Sequence, residues 1–266
     1  MNISKKRPVA FVLVSTNHGT MLVNRHDYHL IDEKKGYGVG FQLLNNSAFD
    51  PEEVDLALQI LELRKTIFGT GVIAIDCGAN VGVHTVEWAK LMYDWGEVIA
   101  IEAQERLYYA LAGNIIMNNC FNARALWAAV GASSGEIGVP VPNYFSASSF
   151  GSLEIRQSSD NEFIGQSIDY KNVQSTRMVT IDELNLRRLD LIKIDIEGME
   201  MEALMGAKET LEKCKPVVLV EKIKSDSEGI SSFLIAFGYK IITVGLNYLA
   251  IHHSDPVSGE IESTGI

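Results

Sequence analysis

The sequence predicts an α/β protein: a mostly parallel sheet covered by helices on both faces, one antiparallel strand near its edge, and an N-terminal extension. Three observations carry this. From Gly71 onward, short apolar runs alternate with segments of helical periodicity, the pattern of a parallel sheet built with crossover helices. The first run leads into the glycine turn Gly78-Ala-Asn-Val-Gly82, where α/β sheets bind ligands at the carboxyl ends of their strands. The last two runs, 239–244 and 248–252, are separated only by Gly245-Leu-Asn247, which forces a hairpin and so one antiparallel strand.

Residues 1–70 form the extension. Runs 9–14 and 21–23 read as short strands around the turn Asn17-His-Gly19, and a looser stretch follows with Gly36, Gly38 and Gly40. Asp50-Pro-Glu-Glu53 then starts a helix, with Asp as N-cap, Pro at the first helical position and Glu at the third. Val54, Leu58 and Leu61 give it an apolar face as far as Phe68. Residues 71–266 form the main domain. Its first strand covers 72–76, and Val83, Val86, Ala89 and Tyr93 mark the face of the next helix. A second strand covers 97–102, Leu107, Leu111 and Ile115 mark another helix, and a third strand covers 123–130. Residues 131–180, rich in Ser, Gly and Asn, interrupt the rhythm and read as an inserted hairpin with a mobile loop. A strand at 189–196, one helix bearing Leu204, Ala207 and Leu211, and a strand at 216–221 resume it. Ser225-x-x-Glu228 caps a helix through Ile230, Phe233 and Phe237.

Bulk properties exclude several classes. With 266 residues, 47% hydrophobic content and a formal net charge of −11, the chain has material for a large core and no basic surface for a nucleic-acid backbone. Lys5-Lys6-Arg7 reads as a solvated terminus. No apolar run reaches the ~18–20 residues needed to span a bilayer, so no membrane role is expected. The apolar run at 9–14 is too short for a signal peptide. Three cysteines at unrelated spacings, Cys77, Cys120 and Cys214, suggest reduced thiols in a cytoplasmic protein. Trp88 and Trp95 read as packing residues, and the adjacent His252-His253 as structural.

The glycine turn has chemistry of its own. Gly78 and Gly82 permit close backbone approach, and the helix N-terminal amides face the ligand. Their spacing is Gly-x-x-x-Gly, not the Gly-x-Gly-x-x-Gly of a dinucleotide site. Glu102, closing the second strand, can accept hydrogen bonds from both hydroxyls of a ribose. Asp76, closing the first, suits an ammonium group better than a phosphate. Two acids around the pocket therefore fit a cationic, phosphate-free nucleoside, S-adenosylmethionine. An NAD-dependent oxidoreductase is disfavoured by the glycine spacing and the lack of a suitable Tyr-x-x-x-Lys pair. A non-catalytic nucleoside-binding module, or a purely structural turn with capping acids, is the blander alternative.

On these residues the chain resembles the FkbM-type methyltransferases. The matching pieces are Ile75-Asp-Cys-Gly-Ala-Asn-Val-Gly-Val-His-Thr85, Ile99-Ala-Ile-Glu-Ala103, Asn114-Ile-Ile-Met-Asn118 and Thr180-Ile-Asp-Glu-Leu184. Most specific are Asp190-Leu-Ile-Lys-Ile-Asp-Ile-Glu-Gly-Met-Glu200, Leu204-x-Gly-Ala207 and Val220-Glu221. The resemblance covers about residues 70–250. It implies a class I, Rossmann-like fold of seven strands and O-methylation of small molecules or sugar-containing products. It also implies that Asp76, Gly78, Asn80, Gly82 and Thr85 line the methionine part of the cofactor pocket, that Glu102 holds the ribose, and that Ala103 and Ala129 lie on the adenine side. Cys77, His84 and Ala103-Gln104 depart from the usual pattern.

The acids Asp195, Glu197 and Glu221 are the candidate catalytic residues. On a strand running to Ile196, Lys193, Asp195 and Glu197 would share one face, against the rule that a central strand is apolar on both. In a class I sheet that strand lies beside the first, so its acids face the transferring methyl, with Glu221 on the same rim. One of them acting as general base, its pKa raised by acidic neighbours, is one mechanism. A divalent cation (Mg²⁺, Ca²⁺ or Mn²⁺) held by all three is the other. The metal-free version is favoured because no histidine joins the cluster. Asp195 paired with Lys193, and Glu197 capping the next helix, are the structural readings. The insertion near 140–175 is expected to cover a small-molecule or glycan acceptor, with Tyr144, Phe145 and Ser149 in contact. A homo-oligomer is compatible with the sequence.

Overall fold

The computed structural model describes residues 8–32 and 36–257; the basic cluster Lys5-Lys6-Arg7 lies outside the described residues. At the N-terminus, β1 (Phe11–Thr16) and β2 (Gly19–Asn24) form an antiparallel hairpin. A second small ladder joins β3 (His29–Leu30) to β4 (Gly36–Tyr37). Helices α1 (Val39–Asn46) and α2 (Pro51–Phe68) follow. Helix α2 starts where the sequence places it, but the cap differs. Asp50 is left-handed (φ 34°) and makes no cap bond; its carboxylate accepts from Gln42 Nε2 at 2.9 Å. Val54, Ala57, Ile60 and Leu61 form the buried face, while Glu53 turns away from the helix toward the cleft described below.

The alternating portion runs β5 (Val72–Cys77), α3 (Val83–Leu91), β6 (Gly96–Glu102), α4 (Glu105–Met117) and β7 (Ala123–Trp127). Tyr93 does not join the apolar face of α3: the helix stops at Leu91, so Tyr93 is 68% exposed and Met92 is buried in its stead. The strand expected across 123–130 is broken at Ala128. Its second half, β8 (Ala129–Val130), leaves the main sheet for β10 (Val173–Val179), which also pairs antiparallel with β9 (Gly135–Pro140). The insertion is thus a hairpin whose long connection is packed around 148–153 and largely exposed over 156–163. Ser148 and Phe150 are fully buried within it.

Strand β11 (Leu191–Ile194) is only four residues long. The single helix expected after it is two, α5 (Glu200–Met205) and α6 (Lys208–Cys214). They part at Gly206, where a Cβ would lie 2.2 Å from the Gly131 carbonyl oxygen. Strand β12 (Val217–Glu221) leads to α7 (Ser227–Ala236), then β13 (Tyr239–Val244) and β14 (Asn247–His252). The cap of α7 is Asp226, whose side chain accepts from the Gly229 amide. Ser225 instead donates to Glu200.

The main sheet has the order β13-β14-β12-β11-β5-β6-β7, with β14 antiparallel and the other strands parallel to one another. This is the class I methyltransferase arrangement. The chain winds outward from β5 through β6 to β7, then returns to β11 on the other side of β5, so the order reverses between β5 and β11. Alternation along the strands gives two apolar layers. Val72, Ala74 and Leu191 pack toward α2, α3 and α4, and Ile75, Cys77, Ile192 and Ile194 toward α5, α6 and α7. Period-2 geometry therefore puts Asp76 and Lys193 on the α2–α3 side.

A buried polar knot fastens the opposite end of β11. Arg64 of α2 donates to Asp190 Oδ1 at 3.1 Å and pairs with Asp255, while Arg188 Nε donates to Asp190 Oδ2 at 2.7 Å. The three cysteines are unpaired. Trp88 and Trp95 are buried, and His252 packs edge-on against Tyr239. Among the described residues, no helix is long and apolar enough to cross a membrane.

Candidate active site

A cleft of about 470 Å³ opens over the carboxyl ends of β5, β6, β11 and β12, where the strand order reverses. Its floor is the turn after β5. Gly78 has φ +80°, and a Cβ there would lie 1.7 Å from the Asp195 carbonyl oxygen, so only glycine lets β5 and β11 approach this closely. The amides of Gly78 and Ala79 both donate to the Ile101 carbonyl, at 2.9 and 3.0 Å, tying the turn to β6. At the end of β6, the Asn80 amide donates to Glu102 Oε2 at 2.9 Å and the Gln104 amide to Oε1 at 2.7 Å. Burial pushes the Glu102 carboxyl up to about 7 even though both backbone bonds favour its charged form.

Asp76 is buried beneath the turn. Its Oδ2 accepts from Thr85 Oγ1 at 2.6 Å, and its Oδ1 has no hydrogen-bond partner among the described residues. The expected cofactor residues Asp76, Gly78, Asn80, Gly82, Glu102, Ala103 and Ala129 all line the cleft; Thr85 does not. It is fully buried behind Asp76 and orients that carboxylate.

These features fit S-adenosylmethionine. The orphaned Asp76 oxygen is an acceptor waiting for a donor, and Glu102 offers two carboxylate oxygens at the end of β6. The Gly78 turn is a cradle that any Cβ would fill.

The acids meet at the other end. Strand β11 stops at Ile194, and the Asp195 amide still donates to the Cys77 carbonyl at 3.1 Å. Glu197 departs from strand geometry, with φ +57°. It reaches the cluster through a left-handed turn, not through the strand alternation the sequence suggests. One carboxylate oxygen each from Asp195, Glu197 and Glu221 lie within 4.8 Å of one another.

Two lysines compensate the cluster. Lys193 Nζ donates to Asp195 Oδ2 at 2.8 Å and lies 3.8 Å from Glu53 Oε1. Lys224 Nζ sits 2.7 Å from Glu197 Oε2, an ion pair poorly aligned for a hydrogen bond, and 2.8 Å from Glu162 Oε2. Burial opposes the charge on Lys193, yet Asp195 and Glu53 together raise its pKa. Burial also pulls Glu53 upward, but Lys193 and His84 bring it down to about 2.

Among the described residues Glu221 is ion-paired with neither lysine, although both act on it from further away and lower its pKa. Its Oε2 is buried without a hydrogen-bond partner, and burial, then the neighbouring Asp195, push it up to about 8. Burial and Asp195 raise Glu197 as well, against Lys224. Helix α5 has no side-chain cap, from Glu197 or from any other residue. Glu200, fully buried, instead fastens the turn before the helix, accepting from the amides of Ile196 and Gly198, each at 3.0 Å, with positive φ at Glu197 and Gly198 (+97°).

Of the three residues expected at the acceptor, only Ser149 lines the cleft. Phe145 is 54% exposed. The Tyr144 hydroxyl turns to Gln104 Oε1 at 3.0 Å, and its ring packs on Phe150. The residues not foreseen are Glu53, Tyr37, Glu162 and Lys224, all in the cleft wall. Tyr37 donates to Glu162 Oε1 at 2.6 Å, so extension, insertion and the segment after β12 meet at one rim. Glu53 carried a signal that also served helix initiation. Lys224, just past the strand that ends in Glu221, carried none beyond its position.

The sequence profile of the Methyltransferase FkbM domain matches residues 76–241. Methyltransferase sdnD of Sordaria araneosa is 26% identical over 156 residues, which is 51% of this chain and 60% of that protein. Among solved structures, methyltransferase FkbM from Methylobacillus flagellatus KT shares 16% identity at a TM-score of 0.48, covering 68% of this chain and 44% of that one. A precorrin-6y C5,15-methyltransferase from Geobacter metallireducens GS-15 shares 14% identity at a TM-score of 0.46, covering 77% and 89%.

Proposed function

This chain belongs to the FkbM methyltransferase family, and from that membership we propose that it methylates a hydroxyl oxygen of a sugar or secondary metabolite, using S-adenosylmethionine. The observation that carries the reading is the meeting of three carboxylates within 4.8 Å beside the Gly78 turn.

Bound S-adenosylmethionine supplies a methyl group activated by its sulfonium. The chain's residues must hold that cofactor, bring an acceptor to it and take the acceptor's proton. In this reading Asp76 Oδ1 receives the ammonium, with Thr85 fixing the carboxylate's other oxygen. Glu102 receives the ribose hydroxyls, and Gly78, Asn80 and Gly82 let the backbone come close. Ala103 and Ala129 border the adenine side.

An alcohol is a poor nucleophile, and a base within hydrogen-bond reach is worth roughly 10²–10⁴-fold. Asp195, with one oxygen held by Lys193 and a side chain 34% exposed, is open enough to orient the hydroxyl. Glu221 is the carboxylate ion-paired with neither lysine and takes the proton. Glu197, tethered by Lys224, shapes the field between them. The acceptor's oxygen–methyl bond would form as the methyl–sulfur bond breaks, S-adenosylhomocysteine being the leaving group, while the acceptor's O–H bond breaks and its proton passes to the carboxylate cluster. Lys193 and Lys224 already bring positive charge to the acids, which supports a site working without a divalent cation.

The test is calorimetry on the purified chain with S-adenosylhomocysteine and with NAD, then a mass-detected screen of hydroxyl and amine acceptors. We expect S-adenosylhomocysteine to bind, NAD to give no heat, and methyl transfer to reach hydroxyls. Tight NAD binding without S-adenosylhomocysteine binding would sink the reading. Methylation of nitrogen acceptors alone would overturn the hydroxyl assignment.

A further inference from the structure

Among the ties that hold the insertion over the cleft, those at Phe150 grip one residue from two sides. Phe150 is fully buried. Its amide donates to Asp27 Oδ1 at 2.9 Å, and its carbonyl accepts from Gln104 Nε2 at 2.7 Å. Asp27 belongs to the extension and is itself buried, with Oδ2 accepting from the Gly40 amide at 2.9 Å. Gln104 sits two residues past the ribose acid, and its own amide donates to Glu102 Oε1.

The next residue, Gly151, lies against the glycine turn. A Cβ there would be 2.8 Å from Asn80 Nδ2, and the Asn80 amide holds the second Glu102 oxygen. Glu102, Gln104, Phe150, Gly151 and Asn80 thus close a ring of contacts around one end of the cleft, with Asp27 bracing it from outside. Gln104 lines the cleft, but both ends of its side-chain amide are engaged, by Phe150 and by Tyr144, so that amide acts on a ligand through these two residues.

We propose that Asp27 and Gln104 are positioning residues that hold Phe150 and Gly151 as a roof over the Glu102–Asn80 end of the cleft, and that cofactor affinity depends on this grip. The inference rests on the S-adenosylmethionine reading of the same cleft. It also gives the insertion a second task beyond covering the acceptor.

The experiment is S-adenosylhomocysteine calorimetry on the full chain and on Gln104→Met, Asp27→Asn and the double variant, with amide exchange of residues 149–153. Gln104→Met keeps the side chain's length while removing both side-chain hydrogen bonds, and Asp27→Asn puts an N–H₂ group against one of two amides. Each lost bond should weaken binding about tenfold, the scale of one buried hydrogen bond. The double variant should lose less than the product of the two, because both act on Phe150. Ligand should protect the 149–153 amides in the parent chain and fail to do so in Gln104→Met, a change that global destabilisation alone would not produce. If Asp27→Asn does not fold, Gln104→Met decides. Folded Gln104→Met that binds within twofold of the parent and shows normal ligand protection would overturn the proposal. A parent chain that does not bind S-adenosylhomocysteine would instead overturn the cofactor reading beneath it.

Discussion

The two ends of the cleft are built differently. At the Glu102 end, backbone amides do most of the work: those of Asn80 and Gln104 hold Glu102, and those of Gly78 and Ala79 hold the turn. At the Glu221 end, side chains hold side chains: Lys193 against Asp195 and Glu53, Lys224 against Glu197 and Glu162. Backbone geometry suits an end that must fit one invariant ligand. Side-chain charge suits an end that must tune a proton and accept a variable partner. The contrast teaches that binding and chemistry should be separable by mutation.

The largest effect expected is on turnover. Asp195→Asn, which removes the carboxylate that orients the acceptor hydroxyl toward its base, should cut methyl transfer by about 10²-fold or more, with S-adenosylhomocysteine affinity within about twofold of the parent by calorimetry. Full activity on a genuine acceptor would remove Asp195 from the chemistry. Next comes the opposite case. Glu102→Ala takes two charge-assisted contacts from the ribose position, each worth about 1.5–3 kcal/mol, so the dissociation constant should rise about 100-fold or more. An unchanged constant would dissolve the division between the two ends.

A smaller effect concerns pH. Glu221 is pushed up to about 8 and must be ionised to act as base, so turnover should rise through about pH 8 and level off above it. The stability sign is the reverse: an acid with a raised folded pKa stabilises below its unfolded value near 4.5, and that contribution is lost as pH rises through about 8. Glu221→Gln should therefore melt higher than the parent at pH 9 and nearly the same at pH 4. A flat rate profile, or a variant less stable at pH 9, would move the base elsewhere. The smallest effect is that of chelation. With two lysines already at the acids, exhaustive chelator treatment should leave turnover within about twofold; a loss restored by Mg²⁺ or Mn²⁺ would assign the cluster to a metal.

Local signals made the Glu102 end legible in sequence. Asp76, Gly78, Asn80, Gly82 and Glu102 fall in two strand–turn–helix units, where chain direction alone brings the residues together. Thr85 was placed one layer too far forward, because helix periodicity puts it near the turn without saying that Asp76 stands between it and the cleft. At the other end Asp195 and Glu221 could be read as strand-terminal acids, yet the turn at Glu197 and its hold by Glu200 could not. Both depend on positive φ at Glu197 and Gly198, which a carboxylate-rich strand pattern does not reveal. Glu53 illustrates the limit most clearly: one residue satisfies a helix-start pattern and also meets Lys193, which points to the same side of the sheet as α2.

The sequence by itself determined the alternation of strands and helices from β5 onward, the glycine turn, and the acids at or beside the ends of β5, β6 and β12. All of these rest on periodicity and on contacts within about a turn or two of the chain. Only the tertiary structure decided that Lys193 also reaches Glu53, that Lys224 meets Glu197 and Glu162, and that Phe150 is gripped by Asp27 and Gln104. Those pairings join segments far apart in the chain, and their strength comes from burial that exists only once the layers have packed.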